Sequence, residues 1–294
     1  MDKKEIAILM ATYNGEKYLG EQIDSILSQT YHKWHLYIHD DGSTDNTISI
    51  AEDYQRRNTD RITLLHYPPQ GGAGKNFISM MERVDAEYYM FCDQDDVWLP
   101  EKVNISVTAM IQQESAHIGK PIIVCTDLYL TDKDLNITFQ SRNRFSSLYP
   151  QYIKTFDDCA PTAGVTGCTM LFNNTAKKCY SYTLPADTLH DCWLLLCTLK
   201  NGGVLHYIDK PLVYYRQHGN NTLGASVNTM NIGIAYRATH LRRIFRNHYK
   251  QYLLLRRLNY GSCFKYVRHV LKYRKRISQG FYLFILVLLH ILQI

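Results

Sequence analysis

The stretch FCDQDDVW, residues 91–98, sets Asp93, Asp95 and Asp96 among aromatic and aliphatic neighbours, directly after a run that reads as a buried strand. Crowded carboxylates repel one another, and burial raises the cost of ionising each of them. A cation relieves both penalties. Hard oxygen donors suit Mg²⁺ or Mn²⁺, and such an ion keeps positions free for the oxygens of a diphosphate. Other short polar motifs could serve the same ligand. In DDGSTD, residues 40–45, a carboxylate such as Asp41 can accept a hydrogen bond from a base or ribose, although the stretch is equally a turn with a helix cap. TYNG, residues 12–15, offers the Tyr13 ring as a stacking face. GGAGKN, residues 71–76, is not a phosphate loop, because Asn76 follows Lys75 where Ser or Thr is required and the glycine spacing is wrong. It remains a glycine turn into a helix N-terminus, with Lys75 able to hold phosphate or sugar oxygens.

These motifs must be held by regular elements, and the first 130 residues alternate strand and helix signals. IAILMA, WHLYIH, ITLLHY, EYYMF and PIIVCTD read as strands. Between them, Leu19, Ile23, Ile26 and Leu27 recur at helical spacing, and NTISIAEDYQRR, NFISMMERV and EKVNISVTAMIQQ read as further helices. Ser43 or Thr44 is expected to cap the second helix, and Pro100 fits the entry to the fourth. The alternation predicts an α/β fold with a mostly parallel sheet flanked by helices. In such sheets ligands bind at the carboxyl ends of the strands, where all four motifs fall. Beyond residue 135 the pattern loosens. TGCTMLF reads as a turn into a buried strand, LHDCWLLL as a helix start, and GGVLHYIDKPLVYYRQHGNN as one or two more strands with a polar loop.

Charge divides the chain unevenly. All 27 acidic residues lie at or before Asp209, so residues 1–209 carry 18 − 27 = −9 and the remaining 85 carry +15, giving the net +6. The eight cysteines show no CxxC pair and no metal spacing, which fits free thiols in a reducing compartment. From residue 226 a basic segment places Leu241, Ile244, Phe245, Tyr252 and Leu255 near one helical face, and the chain closes on the apolar run FYLFILVLLHILQI. That run has 14 residues, fewer than the roughly 20 that span a bilayer. The expectation is a helical extension, residues 226–294, lying on a membrane surface, with packing on the catalytic domain or a partner chain as the alternative. Tyrosines and leucines dominate there, and no nucleic-acid motif is present.

In order and rough spacing, ATYNG, DDGSTDNT, the glycine turn with Lys-Asn, CDQDDVW, TGCTMLF and HDCW resemble family 2 glycosyltransferases of the GT-A fold, over about residues 5–220. DQDDVW and YRQHGNN are particularly similar to rhamnosyltransferase-like enzymes of bacterial surface polysaccharide synthesis. The resemblance implies a catalytic domain over residues 1–225, with a nucleotide-binding half to about 130 and an acceptor half over 131–225. Thr12, Tyr13 and Asn14 would line the nucleotide pocket, and Asp41 would bond the base. Lys75 would contact the donor where many relatives carry Arg. Asp93 and Asp95 match the DxD element that sets a divalent metal against the donor diphosphate. Asp96 and His218 would be further metal contacts, with Asp95 favoured over Asp96 as the direct ligand. Asp191 matches the general base of an inverting transfer. The implied donor is a dTDP- or UDP-sugar, and the implied acceptor a lipid-linked oligosaccharide at the cytoplasmic face of the membrane. A homo-oligomer is left open. Competing readings are a sugar-nucleotide pyrophosphorylase, which would want a basic glycine-rich loop absent from ATYNGEKY, and a non-catalytic assembly scaffold, which would not need Asp191.

Overall fold

The computed structural model describes residues 4–146, 150–159, 164–180, 185, 188–218 and 249–272. The strand β1 (Ile6–Thr12) occupies the middle of the sheet and is buried along nearly its whole length. It pairs in parallel with β2 (Trp34–Asp40) on one side and β4 (Tyr88–Asp93) on the other, while β3 (Ile62–Leu64) continues in parallel from β2. Alternate β1 side chains feed two separate cores. Ile6, Ile8 and Met10 join one, and Ala7 and Leu9 join the other. A strand covered on both faces must be apolar at every position, which is why IAILMA carries no polar residue.

The first core is closed by α1 (Leu19–Leu27), α2 (Thr47–Arg57) and α4 (Lys102–Ala116). Leu19, Ile23 and Ile26, the positions predicted to form one face of α1, are all fully buried. On the opposite side α3 (Ala73–Arg83) contributes Phe77, Met80 and Met81. The expected cap of α2 is corrected. The helix starts at Thr47, whose N–H bonds Asp45 at 3.0 Å, and neither Ser43 nor Thr44 caps it. Both residues are instead drawn into loop contacts with Asp40 and Asn14.

The remaining strands are β5 (Val97–Trp98), β6 (Ile122–Thr131), β7 (Ile137–Phe139), β8 (Met170–Asn173) and β9 (Val204–Arg216). The sheet order is β3-β2-β1-β4-β8-β6-β9-β5, with β7 on β6. The parallel arrangement predicted from the first half holds from β3 to β4. β8 then runs antiparallel between β4 and β6, and β9 is parallel to β6. The stretch expected to form one or two strands is the single β9. It tolerates Pro211 in its interior because the register against β6 slips there.

Three short helices follow the parallel half: α5 (Arg142–Phe145), α6 (Asn174–Cys179) and α7 (His190–Lys200). Beyond β9 the described chain resumes as helical residues 249–257 (α8) and as α9 (Cys263–Lys272). Tyr252, Leu255, Leu258, Tyr260, Tyr266 and Val267 enter the same core as Trp193 and Leu195 of α7. Gln251 reaches the Cys159 carbonyl at 3.1 Å, and Lys265 reaches Asp157 at 2.8 Å. The inner faces of α8 and α9 are therefore part of the body of the protein. Outward they show Phe264, 71% exposed, with Leu253, Arg256, Arg257 and Arg268 also exposed. Leu241, Ile244, Phe245 and the apolar run 281–294 lie outside the described residues. Among the described residues no helix is long and apolar enough to cross a membrane.

Because Leu255 is fully buried in this shared core, Leu255→Ala should lower the unfolding free energy by about 3 kcal/mol. Urea denaturation checks this, with the midpoint falling while a single transition is retained.

Candidate active site

The carboxyl ends of β1 and β2 are laced together by side-chain to backbone bonds. Thr12 is buried and donates to Asp40 at 2.9 Å, and Asp40 also accepts the N–H groups of Gly42 and Ser43. Asn14 has φ 47°, in the left-handed region, where a short polar side chain is among the tolerated residues. Its N–H donates to Ser43 Oγ at 2.8 Å, and its own oxygen accepts the Thr44 N–H at 2.8 Å. Asp41 accepts the N–H groups of Gln70, Gly71 and Gly72, so its carboxylate pins the glycine turn that opens α3. Gly71 and Gly72 have φ 76° and 128°, which explains why this turn is built of glycine. Lys75 lies exposed on the first turn of α3.

Gln94 connects this platform to the acidic stretch. Its amide accepts the Tyr13 N–H and donates to the Tyr13 carbonyl, both at 2.9 Å, while the Tyr13 ring is 57% exposed. A Cβ on Gly15 would come within 2.2 Å of Gln94 Oε1, so the clamp needs glycine there.

Beyond Gln94 the acids separate by environment. Asp93, at the end of β4, is half-buried, and Asp96 is fully buried. Burial raises the Asp93 carboxyl above the usual range, and the charges of Asp95 and Asp191 push it the same way. Asp96 is raised too, again by burial first and then by Asp95 and Asp93. Donor atoms of Asp93, Asp96 and the Cys168 thiol lie within 4.8 Å of one another. Asp96 Oδ1 accepts the Arg216 N–H at 3.2 Å, while Oδ2 has no hydrogen-bond partner. A buried, orphaned carboxylate oxygen beside a second raised carboxyl is a donor set that fits a hard divalent cation. Asp95 meets His218 Nε2 at 2.8 Å.

Arg216 holds this corner. It is 3% exposed, donates from Nε to the Asp95 carbonyl at 2.8 Å and from Nη1 to the Lys133 carbonyl at 2.7 Å, and pairs with Glu21. Its guanidinium lies 4.4 Å from the Tyr18 ring centroid, and the Tyr18 and His218 rings are 5.0 Å apart.

Asp191 arrives from a third direction, on the first turn of α7. Its Oδ2 accepts the Gly167 N–H at 2.8 Å, and Oδ1 the N–H of Cys192 at 2.6 Å. A Cβ on Gly167 would approach His190 Nε2 at 3.1 Å and Asp191 Oδ2 at 3.3 Å, so the close approach favours glycine. The adjacent His190 is packed between Phe77 and Phe91, and burial lowers its affinity for a proton.

Asp93, Asp95, Asp96, Asp191 and His218 thus form one acidic centre. Thr12, Tyr13, Asn14 and Asp41 form a neighbouring platform, with Lys75 beyond the turn that Asp41 holds. Gln94, Arg216 and Cys168 fall within the motifs, but their residue types there carry no signal of these contacts. Only the flanking motifs could have drawn attention to them.

Residues 7–180 match the family model described as glycosyl transferase family 2. The chain is 32% identical over 231 residues to dTDP-rhamnosyl transferase RfbG of Shigella flexneri, covering 74% of this chain and 75% of that protein. It is 30% identical over 204 residues to the UDP-Glc:alpha-D-GlcNAc-diphosphoundecaprenol beta-1,3-glucosyltransferase WfgD of Escherichia coli, covering 69% and 73% respectively. Residues 1–349 of S. aureus TarS, in complex with UDP-GlcNAc, superpose with a TM-score of 0.57 at 14% identity, covering 93% of this chain and 81% of that one. The chain spans 37% of the longer TarS chain.

Arg216→Lys removes the fork that ties Asp95, Lys133 and Glu21 together, and a lysine cannot reproduce those bonds. The expected loss is about 3 kcal/mol of stability, with faster amide hydrogen exchange across residues 94–96. Thermal unfolding and exchange mass spectrometry check the two effects.

Proposed function

The chain belongs to glycosyl transferase family 2 and has the GT-A fold, and on that premise we propose that it moves a sugar from a nucleotide-diphospho-sugar to an acceptor hydroxyl with inversion at the anomeric carbon. The observation that carries this reading is that Asp191 accepts the Gly167 N–H at 2.8 Å, directly before Cys168, whose thiol lies within 4.8 Å of donor atoms of Asp93 and Asp96. A carboxylate already oriented by the Gly167 N–H is thereby brought beside the acidic centre. Asp191 is the general base. It removes the acceptor hydroxyl proton as that oxygen bonds to the anomeric carbon, while the bond from that carbon to the diphosphate oxygen breaks. The electron pair leaves with the nucleoside diphosphate, and no covalent enzyme intermediate forms.

Asp93, Asp95 and Asp96, with His218, are the residues that would hold a divalent ion, Mn²⁺ or Mg²⁺. When bound, that ion supplies positive charge against the departing diphosphate. Tyr13 offers the exposed ring for stacking on the base, and Asp41 lies at the same edge to bond it. Thr12 and Asn14 fix the backbone between them. Lys75 and the N-terminus of α3 add positive potential for the phosphates.

The name of the RfbG relative favours a dTDP-sugar donor, with rhamnose as the first candidate, and that of the WfgD relative a UDP-sugar as the second. The WfgD relative's name has a sugar on diphosphoundecaprenol as acceptor, which favours a lipid-linked oligosaccharide acceptor here and with it a place in polysaccharide synthesis. An acceptor of that kind calls for a peripheral position on the inner face of the membrane. The outward basic and aromatic residues of α8 and α9 support this, as do the fifteen basic residues after Asp209. Residues 1–225 would then be the catalytic domain and 226–294 a membrane-contacting extension anchored to it.

Asp191→Asn should lower kcat about 10³-fold while donor affinity, read by calorimetry, stays within about threefold. Transfer at the unaltered rate removes Asp191 as the base and favours a scaffold reading. For the membrane contact, removing residues 281–294 should move the protein from the membrane to the supernatant fraction with donor affinity retained. An unchanged partition overturns that part of the proposal.

A further inference from the structure

His39, the last buried residue of β2, stands directly before the acids of DDGSTD and is 1% exposed. Both of its ring nitrogens meet oxygen atoms. Nδ1 lies 2.7 Å from Asn76 Oδ1 near the start of α3, and Nε2 lies 3.0 Å from the Tyr67 carbonyl in the loop after β3. The Asn76 amide is fixed in this orientation. Its Nδ2 donates to the His39 main-chain carbonyl at 3.0 Å, so a rotated amide would set two oxygens against each other. Carbonyl and amide oxygens only accept. A neutral imidazole has one N–H and one bare nitrogen, so in either tautomer a lone pair would face an oxygen at hydrogen-bonding distance. Only the imidazolium, which donates from both nitrogens, satisfies the three contacts together.

The surroundings suit a cation. The Tyr67 ring is stacked on His39, with centroids 3.6 Å apart and planes 4° from parallel. With that face taken, the Arg83 guanidinium, 4.3 Å from the Tyr67 centroid, covers the other, so the electron-rich ring separates two positive groups. Two positions beyond His39, Asp41 supplies negative charge. On β1 the residue opposite is Ala11, which carries none. Lys75, beside Asn76, is exposed to solvent, which screens it. Hydrogen bonds from a charged donor are also stronger than neutral ones. The three contacts join β2, the loop at Tyr67 and α3 at one point. Asp41 holds the same connection farther along, through the N–H groups of Gln70, Gly71 and Gly72.

We propose that His39 is a positioning residue, a buried imidazolium whose two N–H groups clamp the segment 67–76 to β2 and so preform the platform that Tyr13, Asp41 and Lys75 present to a nucleoside diphosphate. This rests on the reading of that platform as the donor site. The charge of the ring is tested without nucleotide, so the two can fail separately.

The first arm is nitrogen NMR of the full-length protein carrying isotope-labelled histidine, at about pH 7, where an ordinary imidazole is mostly neutral. The His39 ring, identified by its loss in His39→Gln or its shift in Asn76→Ala, should show a proton on each nitrogen. One bare ring nitrogen overturns the proposal.

In the second arm dTDP and UDP, each with Mn²⁺, are titrated by calorimetry into wild type and His39→Gln. Glutamine has a single donor nitrogen and cannot serve both oxygens. Affinity should fall about tenfold, the worth of one net hydrogen bond. Amide exchange should quicken across residues 67–76 and stay unchanged in β4. Unchanged affinity overturns the positioning role, as does exchange that rises equally over the whole sheet. If His39→Gln does not fold, Asn76→Ala, which keeps the ring and removes one acceptor, should show the same loss of affinity. Failure of both variants to fold overturns positioning in favour of a purely structural role. If wild type binds neither nucleotide while the ring carries two protons, the charge of His39 stands and the donor-platform reading is overturned.

Discussion

Mutual repulsion among Asp93, Asp95, Asp96 and Asp191, concentrated where a buried strand ends, constrains nearly every contact around the centre. In a medium that screens charge poorly, the acids can share one corner only if each is given a different environment. Asp95 takes His218, and Asp96 takes the Arg216 N–H. Asp191 takes two backbone N–H groups at a helix start, where the dipole favours a negative charge. Asp93 is left with the thiol of Cys168 nearby and a raised affinity for its proton. The rest of the fold delivers those partners. β9 brings Arg216, the turn Gly167–Thr169 brings Cys168, and α7 brings Asp191.

The nucleotide platform obeys a different constraint, close approach of backbone to side chain. Gly15 makes room for Gln94, and Gly167 makes room for His190 and Asp191. Asp40 and Asp41 each accept several turn amides, which ties the loops after β1 and β2 together around an exposed Tyr13. Preorganised loops on a buried sheet lose little further freedom when a ligand arrives.

Much of this was legible in the residues. The strands and helices of the first 130 positions follow from hydrophobic spacing, and the polar motifs were expected at the strand ends where they lie. Ser43 and Thr44 are good capping types but do not cap α2, because their hydroxyls and amides are taken by Asp40 and Asn14. The basic segment after Asp209 suggested a surface element. Its described helices turn out to be amphipathic in a fuller sense, with Tyr252, Leu255 and Tyr266 completing the core and basic side chains outward. Sequence spacing gives an apolar face without saying what covers it.

By itself the sequence determined the alternation of elements, the order of the motifs, the division of charge along the chain and the identity of the acids, because each is written in local spacing or composition. Only the tertiary structure decided which groups balance those acids. Arg216 reaches Asp95 across 121 positions and Glu21 across 195, and Gln94 reaches Tyr13 across 81. Lys102, at a helix start, is sealed over the Trp98 ring. Such pairings are set by how the strands stack into one sheet, and no local period records them.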